Sequence, residues 1–166
     1  MYHYSISPLK RALTNLAAVL QKGLAHAEAK KIDPGVLLNS RLFPDMYPLV
    51  KQVQIATDMS KGAAARLAGI EIPKYEDNEA TFEELQARIE KTLAFIETIQ
   101  PAQLEGAEQR EITLLIREVE LKFNGEDYWL TWAQPNVYFH ITTAYNILRH
   151  NGVALGKRDF LGQKRD

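Results

Sequence analysis

Four stretches of this chain repeat apolar side chains every three or four residues, a spacing that only a helix with one buried face accommodates. From Pro8 to about Lys30, Leu9, Leu13, Leu16, Leu20, Gly23, Leu24 and Ala27 fall on one stripe, with Ser7 as N-cap and Pro8 in the first turn. A second helix is predicted from Asp45, its cap, through Pro48 in the first turn to just before Gly69. Its inward stripe is Leu49, Val53, Ala56, Ala63 and Leu67, with Gln52 and Met59 along one edge. Thr81-Phe82-Glu83-Glu84 matches a reciprocal capping box and opens a third helix. Its face of Phe82, Leu85, Ile89, Leu93 and Ile96 runs until Pro101. The fourth helix spans about Pro135 to His150, and Asn151-Gly152 supplies a left-handed exit. Asp33-Pro34 predicts one further helical turn after the first helix.

Ahead of the fourth helix the period changes to two. Val119, Leu121 and Phe123 alternate with Glu118, Glu120 and Lys122, and Asn124-Gly125 follows, the pair favoured in a two-residue type I′ turn. Folding there pairs Lys122 with Asp127, Leu121 with Tyr128, Val119 with Leu130 and Arg117 with Trp132, and gathers the apolar residues on one face. The connection GIEIPKYEDNEA, between the second and third helices, has 12 residues. It stretches to roughly 40 Å, more than the roughly 33 Å of the second helix, so it can cross the bundle and leave those two helices parallel. The predicted fold is mainly α. It is an up-down-down-up four-helix bundle with a β-hairpin inserted between the third and fourth helices, in one domain over residues 1–166.

Composition removes whole classes of function. Twenty basic against 21 acidic side chains leave a net charge of −1, so no global field attracts nucleic acid. The chain has no cysteine, which excludes disulfides, thiolate metal sites and cysteine nucleophiles. Tyr128 to Leu148 carries no formal charge, yet Gln134, Pro135, Asn136, His140 and Asn146 make it too polar for hydrocarbon. With no basic start leading into an unbroken apolar run at the N-terminus, a cytoplasmic protein without membrane contact is expected.

Candidate chemistry gathers on the fourth helix. Val137, Ile141, Ala144 and Leu148 define its core stripe and His140 lies beside it. An inward imidazole there is a metal ligand, an acid–base group or a hydrogen-bonded core residue. His150 stands about 80° around from it and nearly three turns away, too far to share an ion. Gln52 on the second helix is the neighbouring polar candidate, as substrate contact or buried hydrogen-bonding partner. Tyr145 lines a pocket or packs at a boundary, whereas Asp58 falls opposite the core stripe and reads as solvated surface. The tail GKRDFLGQKRD is weakly basic, and its Phe160 and Leu161 are expected to dock it on the bundle or on a second subunit. Glycine-rich phosphate loops, G-x-S-x-G elbows and H-E-x-x-H pairs are all missing.

The stretches PDMYPLVKQVQIATD, KGAAARLAG, WAQPNVYFHITTAYNILRHNG and GKRDFLG, with the order of helices and hairpin, resemble the DinB-like four-helix-bundle superfamily in its bacterial domain-of-unknown-function 1993 branch. The resemblance covers essentially the whole chain and implies a small cytoplasmic protein, often a homodimer. It also implies, in some members, a divalent metal held by one histidine on the second helix and an H-x-x-x-H pair on the fourth, and thiol-dependent transferase or isomerase activity. Carried over, His140 takes the first position of that pair, but four residues later stands Ala144, and the second-helix position falls near Gln52. One ligand in three does not hold Zn²⁺ or Ni²⁺ firmly. The expectation is therefore no cofactor, a degenerate metal site around His140 and Gln52, and a non-catalytic or small-ligand-binding protein. A His-based or metal-dependent transferase, isomerase or hydrolase is the alternative.

Overall fold

A computed structural model describes residues 1–162; residues 163–166, the end of the basic tail, lie outside the described residues. Four long helices carry the fold: α1 (Tyr2–Lys30), α3 (Leu49–Ala68), α4 (Phe82–Glu97) and α6 (Gln134–His150). Between them lie the short α2 (Pro34–Asn39), an antiparallel hairpin of β1 (Ile112–Ile116) and β2 (Val119–Phe123), and α5 (Gly125–Asp127), with α7 (Lys157–Leu161) closing the chain. The stripes read from the sequence are the core: Leu9, Leu13, Leu16, Leu20, Val53, Ala56, Leu67, Leu85, Ile89 and Leu148 are all buried. Gly23 lets α1, α4 and α6 close up, because a β-carbon there would lie 2.9 Å from Leu148 and 3.3 Å from Phe82.

Side-chain bonds fix the directions. Gln86 reaches Ala17 and Lys10 pairs with Glu97, so α4 runs antiparallel to α1. Arg66 meets Tyr128 while Gln52 meets His140, so α6 opposes α3. The linker from Gly69 returns along α3 until Asp77 pairs with Lys51 near that helix's start, and Arg88 on α4 then reaches Thr57. Helices α3 and α4 are parallel, and the order is up-down-down-up. Among the described residues, no helix is long and apolar enough to cross a membrane.

Besides the hairpin, local expectations differ from the structure in three places. Helix α1 begins at Tyr2 and carries Pro8 inside it, not at a Ser7 cap. An internal proline costs about 3 kcal/mol, but Ile6 extends the buried stripe backwards, and its burial returns about 2 kcal/mol. Helix α3 is capped by Pro48, and Asp45 sits in an exposed turn three residues earlier. Asp58 is not solvated surface; it is only partly exposed and bonded to Arg88 and Lys61.

The largest correction concerns the hairpin. It turns at Arg117-Glu118, both with positive φ (47° and 67°), and pairs Ile116 with Val119, Leu114 with Leu121 and Ile112 with Phe123. Asn124 instead accepts from the Asp127 amide as a helix N-cap, and Gly125 sits under the Ala107 carbonyl, where a β-carbon has no room. The chain then winds through a wide π-helical segment, Tyr128–Ala133, that buries Tyr128 and Trp129 and leaves Leu130 half-exposed. Burying two large rings decides the conformation there. The alternation Tyr128, Leu130, Trp132 is not a strand.

Candidate functional site

Gln52 lies on the first turn of α3, where the last orphan carbonyl of the preceding loop is within reach of its side chain. Its amide nitrogen donates to the Tyr47 carbonyl at 3.0 Å. That bond turns Oε1 toward α6, where His140 Nδ1 lies at 2.7 Å. A carbonyl acceptor requires a proton on Nδ1, so the neutral ring carries its lone pair on Nε2. Gln52 is buried and His140 partly so. Burial holds the His140 pKa below the ordinary imidazole value. The Phe139 ring stands edge-on to the imidazole, with centroids 5.2 Å apart.

The structure thus brings His140 and Gln52 together, as the sequence suggested, but not Tyr145. The Tyr145 ring meets Phe160 of α7 edge-on at 6.1 Å, which is packing at the bundle boundary. Phe160 and Leu161 dock on α1: Asn15 donates to the Phe160 carbonyl and Arg11 to the Leu161 carbonyl. Ala144, one turn beyond His140, is fully buried in the core. Among the described residues, no three His, Cys, Asp or Glu side chains lie together as a metal-binding group.

A second polar cluster escaped the sequence reading. Arg88, 3% exposed, spends all five N–H groups: Nε on Thr57 (2.7 Å), Nη1 on Glu79 and the Glu76 carbonyl (both 2.9 Å), and Nη2 on Asp58 (2.7 Å) and Asp77 (3.0 Å). Burial opposes its charge, yet Glu79, Asp58 and Asp77 outweigh burial and raise its pKa. Burial likewise works against the charges of Asp77 and Glu79, and their bonded cations and amides nevertheless hold both below the ordinary carboxylate range. The Tyr75 ring sits among Lys61, Lys91 and Arg88, 4.2, 4.3 and 5.4 Å from its centroid. One signal was present in the sequence: Arg88 lies on the apolar face of its helix, between Leu85 and Ile89. With every donor satisfied, the cluster is a clamp tying the linker to α3 and α4.

This fold and this helix pair place the chain among DinB-like bundles. It is 43% identical to a DinB family member protein from Shewanella denitrificans, whose crystal structure superposes with a TM-score of 0.93, covering 98% of this chain and 92% of that one. The chain belongs to the family described as "Domain of unknown function (DUF1993)", whose model matches residues 1–161. A comparison with curated proteins finds no match.

Proposed function

We propose that this is a non-catalytic DinB-like binding protein, cytoplasmic and homodimeric, in which a His–Gln hydrogen bond stands where other superfamily members hold an ion. The bond from His140 Nδ1 to Gln52 carries this reading. A cage for Zn²⁺ needs three or four strong donors. Here one imidazole faces an amide, Ala144 leaves the next turn without a donor, and the charged cluster at Arg88 is already closed on itself. The residues present do not fit a transition metal. Elemental analysis of protein purified without a histidine tag is expected to find far less than one metal per chain; a ratio near one overturns the reading.

Support for the homodimer comes from exposed aromatics beside the pair. Phe139, next to His140, is 57% exposed, and Tyr47, whose carbonyl holds Gln52, is 58% exposed, two large rings that a second chain would cover. Light scattering is expected to give the mass of two chains, and Phe139→Glu the mass of one. A single-chain mass for the unaltered protein removes the dimer.

One observation favours a second reading. A neutral imidazole with Nδ1 anchored, and with no partner on Nε2 among the described residues, is built like a general base. In that case His140→Gln abolishes turnover without altering the melting temperature, whereas a structural histidine lowers stability.

A further inference from the structure

On the α1 side of α6, away from the His140–Gln52 bond, Ala12, Ile141, Phe160 and Leu161 enclose a cleft of about 310 Å³, with Arg11, Asn15 and Tyr138 as its polar lining. Its walls are mainly apolar, and α7 forms one of them. The Arg11 guanidinium gives Nε and one Nη2 proton to the Leu161 carbonyl, at 3.1 and 2.9 Å. Among the described residues, three of its five N–H groups have no partner and it pairs with no carboxylate. The Tyr138 hydroxyl reaches solvent rather than being buried, and no protein group among the described residues bonds it. Burial raises its pKa, with the nearby Arg11 charge acting against the rise, so it stands as a neutral O–H donor.

A cationic fork and a solvent-facing phenol beside an apolar cleft match one ligand chemistry. We propose that this cleft binds a small amphipathic carboxylate, with its chain against Ala12, Ile141 and Phe160 and its oxygens on Arg11 and Tyr138. Among the described residues, Arg11 is the single cation in the lining, which suits a monoanion better than a phosphate dianion. At about 30 Å³ per water-sized group, the volume holds roughly ten non-hydrogen atoms, the size of octanoate. The cleft shares no residue with the His140–Gln52 pair, so this inference and the metal-free reading stand or fall separately.

An amide NMR titration of the full chain with octanoate, and with octanol as its neutral counterpart, decides it. Octanoate is expected to shift residues 11–15, 138–141 and 157–162 and to bind at least tenfold more tightly than octanol. Arg11→Gln, which keeps an N–H for the Leu161 carbonyl, is expected to erase that preference. Tyr138→Phe, which touches no bond to α7, is expected to weaken octanoate several-fold and leave octanol unchanged; it carries the decision if Arg11→Gln releases α7. Equal affinity for acid and alcohol overturns the proposal. So does the absence of shifts at those residues up to the solubility limit, or a preference that survives both substitutions.

Discussion

His140 shows how one proton is placed by a neighbour's neighbour. The Tyr47 carbonyl orients the Gln52 amide, the amide oxygen accepts a hydrogen bond from Nδ1–H, and Nε2 is left as the basic nitrogen. Burial lowers the folded-state pKa below 6.5, so the unfolded chain takes up a proton first as pH falls. The contribution of the neutral ring is therefore complete above about pH 6.5 and is lost as pH drops toward and through the folded value. Asp77 and Glu79, held below the ordinary carboxylate range, stay ionised through that window and do not obscure it. Melting temperatures between pH 8 and pH 5 are expected to fall further for the unaltered protein than for His140→Gln. Parallel falls would mean that the imidazole is not coupled to folding.

At the scale of elements, the two turns around β2 exchange their apparent signals. Arg117 and Glu118 occupy left-handed conformations that cost about 1 kcal/mol or more each for residues with a β-carbon, yet they form the two-residue turn. Asn124-Gly125, the pair with turn chemistry, caps a helix, and its glycine has negative φ. Replacing Arg117-Glu118 with Asn-Gly is expected to raise the urea midpoint by an amount equivalent to about 1 kcal/mol. Gly125→Ala is expected to destabilise by about 1–3 kcal/mol, since its methyl group meets the Ala107 carbonyl. A hairpin turning at Asn124-Gly125 would instead leave the first substitution neutral.

For the whole molecule, the unusual feature is two consecutive helices that run parallel. That arrangement needs a long connection, and a long connection crossing a bundle needs anchoring. Arg88 supplies it, binding the linker through Asp77, Glu79 and the Glu76 carbonyl while holding Thr57 and Asp58 of α3. Its removal strands three acids around a buried position. Arg88→Ala is expected to cost about 3 kcal/mol in urea unfolding, the low end for a buried network because Asp58 and Asp77 remain partly solvated. Arg88→Lys is not expected to restore it, because one ammonium does not span five acceptors. A loss below about 1 kcal/mol would reduce the clamp to an ordinary surface ion pair.

What the chain's sequence alone determined is whatever depends on period and local bonding. Helical stripes, the Thr81 capping box, the Asp33-Pro34 turn and the reach of a 12-residue linker follow from spacing along the chain, and they led to the bundle and its strand insertion. The His140–Gln52 meeting was also legible, because both lie on inward edges of helices that the topology makes neighbours. Only the tertiary structure decided which turn closes the hairpin, where Tyr128 and Trp129 go, and what surrounds Arg88. In each case contacts between residues distant in sequence outweigh a local preference worth about 1 kcal/mol: ring burial at Trp129, the Ala107 carbonyl over Gly125, five hydrogen bonds to one guanidinium. The cleft between α1, α6 and α7 belongs to the same class, since Arg11 and Tyr138 are brought to one face only when the helices pack.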